Sequence, residues 1–291
     1  MRTAVVHSKP ARAIAIVGRR TGKAPRLLHV AAAGRPNGQL AWRATQELLE
    51  RMPQRRSAVS AVLDPADYQL LQVDELSLPP AELRAALRWK IRDLVAFPIE
   101  HAEIDVFTLP SVRGSPRRLQ VVAAPNGVID ELEAIVRGAR RRLDVIDIPE
   151  LALRNLMVLM PQDSSGCALL LLGRRSIHIL VTCQGVLYIA RRIDWTVGAK
   201  VEQLALELQR SMQYYESQFD RAPIGEVLVA PNCLRARELA PVLSQATGLT
   251  CTPLALEEFL PCEPGIAPLD EPEVIVAIGA ALRPTTAGQA S

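Results

Sequence analysis

The run Gly18-Arg-Arg-Thr-Gly22-Lys23 sets glycines, guanidiniums and a lysine in the order of a phosphate-cradling loop. Such a loop needs one more residue between its glycines, and a Ser or Thr after the lysine to reach magnesium. Here Ala24 follows the lysine, and the motif is rejected. The five cysteines (167, 183, 233, 251 and 262) form no C-x-x-C pair. His7, His29, His101 and His178 stand apart from them and from one another. Neither zinc nor a disulfide framework is expected, and reduced thiols of a cytoplasmic protein fit best. No G-x-S-x-G elbow occurs, and no acidic pair has a spacing suited to acid/base work. Asp147, Glu150 and Asp194 read first as turn or cap residues, and His178, on an alternating strand, as packed or solvated.

One pattern appears twice. Ile14-Ala-Ile-Val-Gly-Arg-Arg-Thr21 and Cys167-Ala-Leu-Leu-Leu-Leu-Gly-Arg-Arg-Ser176 each run from an apolar strand through Gly and two Arg to a hydroxyl. A duplicated domain would produce this echo, and so would chance, because short apolar runs ending in glycine are common.

The 291 residues suffice for two core-bearing lobes or one large domain, and 49% apolar with 22% charged residues is ordinary for a globular chain. A net charge of +3, with four Phe, four Tyr and three Trp, gives no basic surface interleaved with stacking aromatics, so nucleic acid is not an expected partner. The basic clusters at Arg55-Arg56, Arg117-Arg118 and Arg140 to Arg142 read as solvated faces. Met1 to Ala13 is too polar for a secretory signal, and no apolar run approaches the ~18 residues of a membrane span.

The elements that must position any site follow from periodicity. A first strand at Ile14, a second at Leu27 to Ala33, a helix over Leu40 to Arg51 and strands near Ala58 to Leu63 and Tyr68 to Val73 make a βαβ-like opening. Pro79-Pro80 introduces a helix over Ala81 to Val95 with Leu83, Leu87, Ile91 and Leu94 on one stripe, closed by Phe97-Pro98. Trp89 lies nearly opposite that stripe, where it either packs under a neighbouring loop or belongs to a contact surface, packing being the commoner fate. Strands at Glu103 to Leu109 and Leu119 to Ala124 precede helices from Asn126 and Pro149, and Pro161 to Gly166 links two halves. The second half opens on a hairpin over Cys167 to Asp194, continues through the longest helix, Ala199 to Phe219, and ends in a helix over Glu273 to Arg283 whose Gly279-Ala280-Ala281 face permits close packing. Beyond Pro284 a frayed tail is expected.

Several stretches, taken in this order, resemble a known family. Ala86-Leu-Arg-Trp-Lys-Ile-Arg-Asp-Leu94, Phe97-Pro-Ile-Glu100, Asp105-Val-Phe107, Asp144-Val-Ile-Asp-Ile-Pro149, Leu208-Gln-Arg-Ser-Met-Gln-Tyr-Tyr-Glu-Ser-Gln218 and Val276-Ala-Ile-Gly-Ala-Ala-Leu-Arg283 are similar to the MshI and PilM-like proteins of type IV pilus assembly. More distantly they are similar to the cytoplasmic part of the secretion protein GspL. The resemblance runs from about Ile14 to Arg283.

It implies an α/β, actin-like fold of two lobes, each a mixed sheet with flanking helices, facing a cleft. The first lobe would span 1–160 with an insertion around 76–124, and the second 161–291 with its final helix at 273–283 and a tail at 284–291. PilM-like proteins hold ATP in the cleft, with an Asp-x-Gly turn in each lobe for magnesium and phosphate and a Gly-Gly turn beside the adenosine. This sequence departs at all three: Ile16 precedes Gly18, Leu171 precedes Gly173, and Pro231-Asn232 replaces the paired glycines. An Ile or Leu side chain cannot position magnesium, so no hydrolysis, catalytic residue, metal or cofactor is expected. Arg19 and Arg174, with Arg20 and Arg175, would suit phosphate without metal, although surface residues beside a turn are the plainer reading.

The resemblance implies a cytoplasmic scaffold of an MSHA-type pilus platform, docking the cytoplasmic N-terminus of a PilN-like inner-membrane partner near the helix that carries Trp89 and Phe97. An ATP-binding switch is the alternative. A GspL-like secretion component comes third, since it would need a membrane span after the domain.

Overall fold

The computed structural model describes residues 2–7, 12–18, 24–33, 41–52, 57–76, 78–110, 117–195, 200–266 and 269–284. Strands β1 (Arg2–His7), β2 (Arg12–Gly18) and β3 (Arg26–Ala33) lead to helix α1 (Ala41–Arg51) and strand β4 (Ala58–Val62). An inserted unit follows, of β5 (Gln69–Asp74), α2 (Pro80–Ile91), β6 (Ala102–Thr108) and β7 (Arg118–Pro125). Then come α3 (Asn126–Gly138), β8 (Leu143–Asp147) and α4 (Pro149–Met157). The second half runs β9 (Cys167–Leu172), β10 (Ser176–Cys183), β11 (Val186–Asp194), α5 (Val201–Phe219), β12 (Glu226–Ala230), α6 (Leu234–Thr247), β13 (Thr250–Pro253) and α7 (Pro272–Ala281).

Two sheets share one plan. Their orders are β3-β2-β1-β4-β8 and β11-β10-β9-β12-β13. In each, three strands form an antiparallel meander, and two more add in parallel beside the first strand. The same topology therefore occurs twice in the chain.

Two sequence expectations change here. The strand at Ile14 is not the first but the second, because the polar opening residues form β1, the middle strand of the first sheet. Their polar groups are buried with partners: the Arg2 guanidinium donates to Ser60 Oγ at 3.1 Å and pairs with Asp144 at 3.0 Å. The stretch from Cys167 to Asp194 is a three-stranded meander rather than a hairpin. Its first strand, β9, is buried along its whole length because Cys167, Leu169 and Leu171 face one core and Ala168, Leu170 and Leu172 the other, which is why it reads as an unbroken apolar run.

The two halves exchange helices. α4 follows the last strand of the first sheet yet packs on β10 and β11 of the second, while α7 follows the second sheet and packs on β1, β2 and β4 of the first. Where the two helices meet, a Cβ built on Gly279 would lie 2.2 Å from the Ala152 carbonyl oxygen, so only glycine fits the crossing. α7 is apolar and buried from Val274 to Ala281 because the first sheet and α4 pack on it. Just past its end, Arg283 pairs with the buried Asp147 at 2.8 Å and ties it to the end of β8.

The inserted sheet, ordered β5-β7-β6, begins at Gln69, earlier than the insertion near 76 that the sequence suggested. α2 covers one of its faces, with Leu87 and Ile91 against Val73, Leu119, Val121 and Ala123. Alternation along β5 and β7 turns Leu70, Gln72, Arg118 and Gln120 to the other face.

Candidate functional site

Between the halves lies a cleft of about 400 Å³. The first half contributes Val6, the turn at Asp64 to Ala66, and Pro149 at the head of α4; the second contributes Leu171, the turn Gly173 to Arg175, and the head of α7. Glycine is required at 173, since a Cβ there would lie 2.4 Å from the Ser176 carbonyl oxygen. The turn itself carries no oxygen side chain, Leu171 being 2% exposed in the apolar core and Arg174 positively charged, while Ser176 and Asp194, paired beside it, also border the cleft. Arg174 is also already engaged, bonding Glu271 and, through Nε at 3.2 Å, Glu273 at the first turn of α7. Burial raises the Glu273 carboxyl above its usual range, and Arg174 pulls it back. Asp64, 5% exposed, accepts the Ala66 amide at 2.8 Å in its own turn. Among the described residues no cluster of His, Cys, Asp and Glu could hold a metal ion.

The residues singled out from sequence do not converge here. Leu171, Gly173 and Arg174 border the cleft; Gly18, Pro231 and Asn232 do not. Asn232 instead accepts from Arg237 at 3.0 Å on α6. The apparent echo joins unlike places, for Gly18 ends the second strand of its sheet whereas Gly173 follows the first strand of its own. The counterpart of Gly18 is the Cys183 to Gly185 turn, and the counterpart of Gly173 falls between β1 and β2, at residues 8–11, which lie outside the described residues, as do Arg19 and Arg20. The chain nevertheless carries no Asp or Glu before Glu47, so the first-half turn has no carboxylate in either register.

A buried polar cluster underlies the cleft and was not visible in the sequence. Tyr68 Oη donates to Glu150 Oε2 at 2.5 Å, and His178 Nε2 lies 3.7 Å from Glu150 Oε1. Arg192 stands over the Tyr68 ring at 5.6 Å and donates to the Pro65 carbonyl. Burial, reinforced by the Glu150 charge, pushes the Tyr68 phenol well above its usual range. Burial lowers His178, whose ring nitrogens find no hydrogen-bond partner among the described residues. Glu150 is thus tied into the floor rather than presented to the cleft as a base.

A separate groove of about 510 Å³ runs between β6 and β8. Among the described residues each is the outermost strand of its sheet on that side, so two strand edges face one space, with the Val106 amide of β6 donating to Asp105 Oδ1. Phe107, Val122, Ile129, Val145 and Leu151 give it apolar walls, and Arg84, Glu103 and Asp105 mark its rim. Sequence reasoning missed this groove because its two edges belong to different sheets. Phe97 packs into the core of the inserted unit. Trp89 is 80% exposed on the outer side of α2, so it is a surface residue and not the packed one that its type favours.

Comparison with known proteins gives the fold. No family model matches the sequence, and no curated protein matches it. Among solved structures, a chain of a PilM-PilN type IV pilus biogenesis complex superposes with a TM-score of 0.73 at 19% identity over 97% of each chain. The cytoplasmic domain of EpsL, an inner-membrane component of the type II secretion system of Vibrio cholerae, gives 0.55 at 11% identity over 97% of this chain and 95% of that one. A Bacteroides thetaiotaomicron protein of actin-like ATPase fold and unknown function gives 0.52 at 9% identity over 86% and 89%. The chain has the α/β actin-like fold.

Proposed function

We propose that this chain is a non-catalytic scaffold of a type IV pilus assembly platform, of the MshI kind in an MSHA-type system, and that it docks the cytoplasmic N-terminus of a PilN-like inner-membrane protein. The observation that carries the reading is the likeness, over 97% of both chains, to a chain from the PilM-PilN complex. The non-catalytic reading is supported by the second-half turn, where Leu171 stands two residues before Gly173 in place of an acid and Arg174 is held against Glu271 and Glu273.

The groove between β6 and β8 is the proposed seat of the partner segment. An extended peptide there would pair with open strand edges while its apolar side chains enter the walls. Trp89 is proposed as a further contact with the same partner, and Phe97 as a residue that shapes the unit carrying it. No helix among the described residues is long and apolar enough to cross a membrane. In this reading the protein is held at the cytoplasmic side of the inner membrane by its partner.

Co-purification from membranes tests the assignment. A PilN-like protein should be captured, and a peptide of its cytoplasmic N-terminus should bind saturably to the wild type and not to a folded Val145→Arg protein. Capture of no pilus protein would overturn the function, and unchanged peptide binding by Val145→Arg would overturn the groove.

One observation favours a nucleotide switch as the second reading: Arg175 borders the cleft and makes no ion pair among the described residues. Calorimetric titration with ATP, with and without magnesium, separates the two. Tight, saturable binding would defeat the scaffold-only view.

A further inference from the structure

We infer that a second docking slot, between the inserted sheet and the outer edge of β11, takes an acidic stretch of a partner chain in extended form. The slot has a volume of about 520 Å³, within the range of built binding sites. It shares no lining residue with the groove between β6 and β8, so it stands or falls separately from that groove.

One wall is backbone. Tyr188 to Arg192, consecutive in β11, border the slot, and among the described residues β11 ends the second sheet with β10 as its one strand neighbour. Among the described residues, no backbone hydrogen bond outside the β10 ladder engages this stretch. An edge of this kind presents unspent N–H and C=O groups at the spacing of an added strand. The facing wall is the side of the inserted sheet that α2 leaves uncovered, where Gln72 and Gln120 stand opposite each other across β5 and β7.

The charge of the slot selects the occupant. Arg118, Arg191 and Arg192 border it, against a single lining carboxylate, Glu150, which is 2% exposed and already accepts from Tyr68. Arg191 is held over the Tyr214 ring at 5.6 Å, and its contact with Glu207 is 3.9 Å, too long for a hydrogen bond. Arg118 donates to Gln72 at 3.0 Å, while Asp74 stands 3.9 Å away. Both guanidiniums are therefore oriented yet keep donors to spare, the condition for forked capture of a carboxylate. A small anion would use the arginines alone. An extended acidic segment uses them together with the strand edge, and so satisfies both features of the slot.

The probe is a labelled, end-blocked hexapeptide alternating Glu and Val, titrated against the full chain by fluorescence anisotropy at low salt. Saturable binding is expected, about tenfold weaker for the Arg118→Ala/Arg191→Ala protein. Both side chains are substantially exposed, at 49% and 38%, so the double variant should fold. Methylating alternate backbone nitrogens of the peptide should weaken binding by about tenfold as well, since it removes the strand pairing. The Lys-Val counterpart should not bind, and the Val145→Arg protein should bind the acidic peptide unchanged. Three results would overturn the proposal: equal binding by the double variant, equal binding of the methylated peptide, or displacement of the peptide by inorganic phosphate or ATP while the methylated form still binds, which would assign the arginines to a small anion.

Discussion

Tyr68 donates its phenolic proton to Glu150 at 2.5 Å, joining the connection after β4 to the first turn of α4. Both residues are nearly sealed from water. A Tyr68→Phe protein would leave a buried carboxylate without its donor. It should lose about 1–3 kcal/mol of stability in urea titration, whereas Glu150→Gln, which keeps an acceptor for Tyr68, should lose less. A Tyr68→Phe protein as stable as wild type would show that the bond contributes nothing net.

His178 gives the fold a pH dependence of definite sign. Burial lowers its folded pKa; Glu150 opposes the shift and Arg192 adds to it. Below about pH 6.5 the unfolded chain takes up a proton that the native state refuses, so stability falls as the solution is acidified through that value. Urea midpoints between pH 5 and 8 should show the decline, and His178→Gln should flatten it. An identical slope in the variant would place the titration elsewhere.

At the crossing of α4 and α7 there is no room for a methyl group. Gly279→Ala should cost about 3 kcal/mol, because the atom it would strike is backbone that cannot rotate aside. Thermal melts would record this as a shift of several degrees. A substitution tolerated without loss would mean that the helices can move apart.

Arg283 and Asp147 form a pair in which one member is nearly fully buried and the other about a third exposed. Burial raises the Asp147 carboxyl, and Arg283 counters it. Arg283→Ala should destabilise the chain by about 2 kcal/mol near neutral pH, less than a fully buried pair would cost, and the loss should shrink on acidification as Asp147 takes up a proton. Chemical denaturation at pH 7 and pH 4.5 tests both halves of the statement.

Trp89→Ala should change stability by less than about 0.5 kcal/mol, because the ring is mostly in solvent. Its effect should appear in capture of the membrane partner instead. Unaltered capture by the folded variant would remove Trp89 from the proposed interface.

The helices were legible in the sequence where one stripe of residues faces a core. Leu87 and Ile91 of α2, and Leu204, Leu208, Met212 and Tyr215 of α5, all lie where their spacing predicts. Trp89 also stands opposite such a stripe, but its residue type pointed to packing, and the structure exposes it instead. β1 was hidden because Arg2 and Thr3 look like solvent residues until their distant partners, Ser60, Asp144 and Ser57, are in place. Missing that strand shifted the first half by one element, and this made Gly18 look like the counterpart of Gly173. The cleft floor and both grooves were beyond reach for another reason: Tyr68, Glu150 and His178 come from three separate segments, and a strand edge has no signature in side-chain type.

The exchange of α4 and α7 bears on how this molecule can be cut. A fragment ending near Met160 would keep α4, the cover of a sheet it no longer possesses, and would bare the face on which α7 rests; the complementary fragment would have the mirror problem. Neither piece should be soluble by itself, whereas the two expressed together should reassemble. Mapping of binding surfaces in this chain therefore calls for point changes within the intact polypeptide rather than for isolated halves.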